Sequence, residues 1–116
     1  MLRSSGNRFE LPYKDINALK AAEKFGDKSV LFLDVREPYE YAQVHIPGSK
    51  LLPLSHFTGA GLKELGDLDR EIVVVCHSGN RSAVASQYLA QLGYKKVSNL
   101  SGGITSWLMQ GLPSER

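Results

Sequence analysis

Two stretches of the chain, Val30-Leu31-Phe32-Leu33 and Ile72-Val73-Val74-Val75, are apolar at every position. Short runs without polar alternation read as strands buried on both faces, the signature of a parallel sheet covered by helices. Asp15 is placed to cap a helix in which Ile16, Leu19, Ala22 and Phe25 recur at helical spacing until Gly26-Asp27 ends it. Pro38 opens a short helix running to Gln43, Pro47-Gly48 turns, and Lys50-Leu51-Leu52 reads as a short strand. The stretch from Leu54 to Leu65 reads as irregular and partly helical, broken by Gly59 and Gly61. Arg81 to Leu92 predicts a helix with Val84, Ala85, Tyr88, Leu89 and Leu92 on one face and Gly93 just past its end. Lys96 to Leu100 predicts a strand, Gly102-Gly103 a turn, and Ile104 to Gln110 a last helix stopped by Gly111-Leu112-Pro113. Alternating strands and helices predict an α/β fold with a parallel sheet sandwiched between helical layers.

Length and composition narrow the picture. A chain of 116 residues, with 42% hydrophobic and 22% charged residues, is expected to form one domain over 1–116, with residues 1–9 loose. A net charge of +2, evenly spread, argues against a nucleic-acid partner. No segment approaches the length of a membrane span or has the pattern of a signal peptide, so no membrane partner is expected. The single cysteine excludes an internal disulfide, and a free thiol suits a reducing compartment such as the cytoplasm.

That cysteine is where chemistry concentrates. Cys76 follows the second apolar strand at once and opens the stretch Cys76-His77-Ser78-Gly79-Asn80-Arg81-Ser82, which runs into the predicted helix. A strand–loop–helix junction aims backbone N–H groups and the positive end of a helix dipole at whatever the loop holds. Gly79 supplies the backbone freedom for the loop to curl, and Arg81 adds positive potential. A thiolate is the nucleophilic form of cysteine, and the same donors stabilise a thiolate or a persulfide. An inert, packed cysteine is the competing reading, and the polar loop around Cys76 disfavours it. In open parallel sheets ligands bind beyond the carboxyl ends of the strands. Asp34 to Glu37, Pro53 to His56, Cys76 to Arg81 and Ser101 to Gly103 would gather at that edge.

Four segments in order resemble the rhodanese family of sulfurtransferases. They are Leu33-Asp34-Val35-Arg36-Glu37-Pro38-Tyr39-Glu40-Tyr41, His45-Ile46-Pro47-Gly48-Ser49, Cys76 to Ser82, and Leu100-Ser101-Gly102-Gly103-Ile104 with Trp107 and Gly111-Leu112-Pro113. The resemblance runs from about Tyr13 to Pro113, with Val44 and Ser49 standing where the family usually has Gly and Ala. It implies a three-layer α/β/α fold with a five-stranded, mainly parallel sheet, its shortest strand near Arg8 to Pro12. It also implies a two-step reaction. Cys76 takes the outer sulfur of thiosulfate, sulfite leaves, and an acceptor such as cyanide, a thiol or a partner protein removes the sulfur from the persulfide. His77, Ser78, Gly79, Asn80, Arg81 and Ser82 are the expected persulfide-stabilising and substrate-binding loop, with Arg81 on the sulfonate oxygens. No cofactor and no metal is implied, and His45, His56 and His77 lack ligand spacing. With no second cysteine to resolve it, the sulfur must leave to an external acceptor.

Other residues carry plainer readings. Asp34 is expected to form a structural turn and ion pair. Arg36 either joins it or lends charge to the pocket. Gly102 and Gly103 would allow a close backbone approach, Trp107 reads as core, and Tyr39 and Tyr41 as surface or packing residues. Three rival functions remain at this stage. A phosphatase or arsenate reductase on the same fold uses a loop one residue longer between Cys and Arg than the four residues found here. A non-catalytic regulatory module usually lacks the cysteine. A dedicated persulfide carrier would keep Cys76 but turn over poorly.

Overall fold

The computed structural model of the protein describes residues 12–116. Five strands, β1 (Lys14–Ile16), β2 (Val30–Asp34), β3 (Lys50–Leu51), β4 (Glu71–Val75) and β5 (Lys96–Leu100), form one sheet. Their order is β1-β5-β4-β2-β3, and every pairing is parallel. The two apolar runs are thus neighbours near the centre, with Val30 to Asp34 opposite Glu71 to Val75. Full burial of both faces explains the lack of alternation in their sequences.

Side chains along each strand still divide by the strand's two-residue period. Leu31, Leu33, Ile72 and Val74 enter one core with Cys76, Ala85 and Leu89. Val30, Phe32, Val73 and Val75 enter the other with Ala18, Ile104 and Trp107. Helix α4 (Asn80–Gln91) covers the first face, while α1 (Ala18–Ala22) and α5 (Gly103–Met109) cover the second. Trp107 is fully buried, and its indole N–H donates to the Pro113 carbonyl at 2.7 Å, which ties the last helix to the chain beyond it. Helix α2 (Pro38–Gln43) falls where Pro38 predicts it. The three-layer, all-parallel α/β fold agrees with the sequence expectation.

Several local expectations differ. Asp15 lies within β1, and Asn17 caps α1 by accepting from the Lys20 N–H at 2.8 Å. The strand expected near Arg8 to Pro12 falls almost wholly outside the described residues. The observed edge strand begins at Lys14 and pairs with β5. Gly59 and Gly61 sit inside a short helix, α3 (Gly59–Leu62), flanked by 3-10 turns at Leu54–His56 and Lys63–Leu65. Gly61 faces Leu52 so closely that a Cβ would stand 2.8 Å from its methyl group, so the missing side chain permits packing here. In α4 the buried stripe is Ser82, Ala85, Ser86 and Leu89, whereas Val84, Tyr88 and Leu92 are exposed. Hydrophobic spacing misplaced the face because two serines lie inside.

Candidate active site

Cys76 is the first residue past β4 and is 1% exposed. The ladder is maintained up to it, since the Val35 N–H donates to the Val75 carbonyl at 2.9 Å. The start of α5 then fixes the loop from the far side. Ile104 N–H donates to the Cys76 carbonyl at 2.8 Å, and Thr105 N–H donates to that of His77 at 3.2 Å. Thr105 Oγ1 adds a second bond to His77 O at 3.1 Å. Gly103 makes this approach possible. Its φ is +60°, and a Cβ there would stand 2.5 Å from the His77 carbonyl oxygen and nearer still to that of Cys76.

The loop curls back on the sulfur. Gly79, at φ +107°, is the N-cap of α4, and its N–H points at Cys76 Sγ at 3.0 Å. Ser82, in the first turn of α4 and fully buried, places its hydroxyl 3.2 Å from the same sulfur. The first-turn N–H groups of a helix lack intrahelical acceptors, so Asn80, Arg81 and Ser82 present donors at the loop. The side chains of His77, Ser78 and Asn80 are exposed at the mouth. The loop therefore combines a buried sulfur, inward donors and an exposed rim.

Arg81 is oriented by a residue that the sequence reading did not single out. Its Nη1 and Nη2 donate to the two oxygens of Glu40, both at 2.8 Å. Glu40 is held in turn because its Oε1 accepts from the Glu37 N–H at 2.9 Å, closing the first turn of α2. The Arg81 hydrogen bonds hold the Glu40 carboxyl at about 2, well below its ordinary range. Glu40 in turn raises Arg81 above its own range, with a smaller contribution from Cys76. A Glu three residues past a helix N-cap commonly reaches back to the cap, and Glu37-Pro38-Tyr39-Glu40, with Pro38 at the first helical position, carried that signal.

Asp34 and Arg36 form a closed unit beside the loop. Arg36 Nε and Nη2 bind the Asp34 carboxylate at 3.0 and 2.8 Å, and Arg36 Nη2 also donates to Val44 O at 2.6 Å. Arg36 is 2% exposed, so its charge is spent on Asp34 and on the loop that enters β3. Tyr41 stacks on His45 at 3.8 Å and donates to Ser49 O, while Tyr39 is exposed. The substituted positions Val44 and Ser49 thus act as backbone acceptors in this framework. A cleft of about 440 Å³, lined by Tyr13, Lys24, Glu71 and Lys96 among others, opens at the amino ends of the strands, opposite the cysteine.

Behind Ser82 lies a further group of polar residues. Ser82 Oγ is hydrogen-bonded to Asn99 Oδ1, and Asn99 Nδ2 donates to Asp15 Oδ1 at 2.9 Å and to Gly79 O at 3.4 Å. An Asn beside Leu100 at the carboxyl end of the predicted strand Lys96 to Leu100 was the available signal for this arrangement.

Comparison with known proteins agrees with the geometry. The model of the rhodanese-like domain family matches residues 17–110. A protein of Allochromatium vinosum named sulfurtransferase is 40% identical over 100 residues, which cover 85% of this chain and 92% of that protein. The putative sulfur carrier protein YrkF of Bacillus subtilis is 38% identical over 104 residues, covering 90% of this chain and 55% of the relative. The crystal structure of a rhodanese-related protein from Thermoplasma volcanium superposes with a TM-score of 0.77 at 37% identity, covering 89% of this chain and 98% of the other. With its sheet order, its cysteine loop and these relatives in agreement, the chain belongs to the rhodanese-like domain family.

Proposed function

We propose that the protein is a thiosulfate sulfurtransferase working through a persulfide on Cys76. The observation that carries this reading is the convergence of the Gly79 N–H and the Ser82 hydroxyl on a single buried sulfur. In the first step the Cys76 thiolate attacks the outer sulfur of thiosulfate. A new S–S bond forms, the old one breaks, and its electron pair leaves with sulfite. In the second step an acceptor nucleophile (cyanide or a thiolate) attacks the outer sulfur of the persulfide, and the electron pair returns to Cys76 Sγ. Preset donors around the loop stabilise the negative charge that each step moves.

The placement of Arg81 refines the part played by charge. Its outward fork is taken by Glu40, so the sulfonate draws mainly on the first-turn N–H groups of α4, with Arg81 holding the loop in shape. The short loop, four residues between Cys76 and Arg81, supports sulfur over a bulkier phosphate. A persulfide carrier is the second reading, favoured by the relative named as a putative sulfur carrier.

Intact-protein mass spectrometry after incubation with thiosulfate, then cyanide, tests the proposal. The expected result is a gain of one sulfur atom that cyanide removes as thiocyanate, with neither event in Cys76→Ala. Loading with thiosulfate and slow release to cyanide would mark a carrier. No adduct at all would refute thiosulfate as donor.

A further inference from the structure

We propose that Asn99, oriented by Asp15, is a positioning residue that governs where the Ser82 hydroxyl hydrogen points, toward Asn99 or toward the Cys76 sulfur. The argument begins with a count of hydrogens. The Asn99 amide has two N–H hydrogens, and it places Nδ2 against Asp15 Oδ1 and Gly79 O. A carboxylate oxygen and a peptide carbonyl can only accept, so the amide cannot turn over without losing both bonds. Asn99 Oδ1 therefore faces Ser82, and it too can only accept. Ser82 has one hydroxyl hydrogen and two neighbours that can take it, Asn99 Oδ1 and Cys76 Sγ.

Each state of the sulfur resolves this competition differently. A thiol donates its own hydrogen to a Ser82 lone pair, and Ser82 donates to Asn99. A thiolate has no hydrogen and bears the charge, so it draws the Ser82 hydrogen away, and Asn99 Oδ1 loses its donor. In a persulfide the charge sits on the outer sulfur, the inner sulfur is a weak acceptor, and the hydrogen returns to Asn99. Burial sharpens the alternatives: Ser82 and Asn99 are 0% and 5% exposed, which restricts water from serving the oxygen left over. Asn99 thus opposes thiolate formation in the resting enzyme and turns the Ser82 hydrogen back once Cys76 carries the extra sulfur.

The consequence for catalysis rests on the sulfur-transfer reading above, but the orientation itself does not. When an acceptor removes the outer sulfur, the S–S bond breaks and the electron pair stays on Cys76 Sγ. The hydrogen then swings from Asn99 to that sulfur and stabilises the leaving thiolate. When Cys76 attacks a new donor, the hydrogen swings back. No proton is transferred between residues in either direction; one hydroxyl rotates.

The charged and titratable groups around the sulfur are few. Arg81 from α4 is held by Glu40 of α2, Asp15 of β1 stands behind Asn99, and Asp34 of β2 and Arg36 just beyond it neutralise each other. His77 adjoins the cysteine with its side chain exposed. None of these pairs changes partner when Ser82 rotates; Asn99 also touches the loop at Gly79 O, and the Ser82→Ala background separates an effect through Ser82 from one through Gly79.

The test is the pH dependence of Cys76 alkylation by iodoacetamide, which needs no sulfur donor. It reads the orientation even if the protein transfers no sulfur, and failed transfer with an intact alkylation pattern would overturn only the functional reading. Asn99→Ala is expected to move the profile about one pH unit lower, a roughly tenfold gain in reactive thiolate at a given pH below the midpoint. Ser82→Ala is expected to move it higher, and Asn99→Ala added to Ser82→Ala to have no further effect. Asp15→Ala, at an exposed edge strand, should reproduce a part of the Asn99→Ala shift, while Asp15→Asn, which keeps an acceptor for Asn99 Nδ2, should stay near the wild-type profile. An Asn99→Ala shift that survives in the Ser82→Ala background would overturn the proposal, as would equal profiles for Asp15→Asn and Asp15→Ala. If Asn99→Ala does not fold, Asp15→Ala with and without Ser82→Ala decides in the same way.

Discussion

Replacing Glu40 by Gln removes one charge from the Arg81 pair and little else. Gln keeps a side-chain oxygen to accept from the Glu37 N–H, so the first turn of α2 stays closed. The Glu40 carboxyl lies at about 2 against an ordinary 4.5, which at about 1.4 kcal/mol per pH unit sets a ceiling of about 3 kcal/mol. Two corrections lower it. Part of the shift comes from the Glu37 N–H, which Gln retains, and Arg81 is 37% exposed, where solvent screens the pair. The expected loss at neutral pH is about 1–2 kcal/mol, read as a lower urea midpoint. Its pH dependence follows from the direction of the shift. A carboxyl held below its unfolded value stabilises fully above about 4.5 and loses that contribution as pH falls through about 2. The gap between wild type and Glu40→Gln should therefore be full at pH 7 and shrink to roughly 40% of that at pH 3. A cycle with Arg81→Met should show coupling of similar size. A gap of equal size at pH 3 and pH 7, or additive single effects, would refute the account of Glu40 as the charged partner of Arg81.

Two further substitutions probe the frame around the loop. Gly103→Ala forces a side chain into two backbone oxygens at a positive φ, so a loss of about 3 kcal/mol or more is expected in urea unfolding; a loss under about 1 kcal/mol would mean that the α5 start does not press on the loop as described. Arg36→Leu strands the Asp34 carboxylate in the interior and should cost about 3–5 kcal/mol, with Asp34→Asn added to it recovering part of the loss; a near-neutral Arg36→Leu would contradict a buried pair.

The sheet was legible because its central strands are so fully buried that composition alone marks them. Cys76 was legible from its place at the end of such a strand. The burial of polar side chains was not legible, and the facing of α4 was misread for that reason. Ser82, Ser86 and Asn99 are polar residues in the interior, and a periodicity that counts only apolar side chains turned α4 by the wrong amount, putting Val84, Tyr88 and Leu92 inward. Glu40 and Asp15 reach the site through contacts 41 and 84 residues distant along the chain, which local spacing does not encode. Arg81 was placed in the loop by its position, but its orientation depends on Glu40, a partner that local spacing does not reveal.

The position of β4, hydrogen-bonded to β2 on one side and β5 on the other, has a consequence for how the molecule can vary. Amides of β4 should exchange with solvent only through global unfolding, whereas the short turns between Leu54 and Leu65, which pack onto the core cluster that includes Cys76, should open locally and exchange early. Cys76 is thus anchored to the slowest-exchanging part of the protein, and part of the carboxyl-edge surroundings belongs to the fastest. Substitutions in that segment can reshape the surroundings of Cys76 without moving its sulfur, so the shape of the site's approach and the stability of the fold are separable.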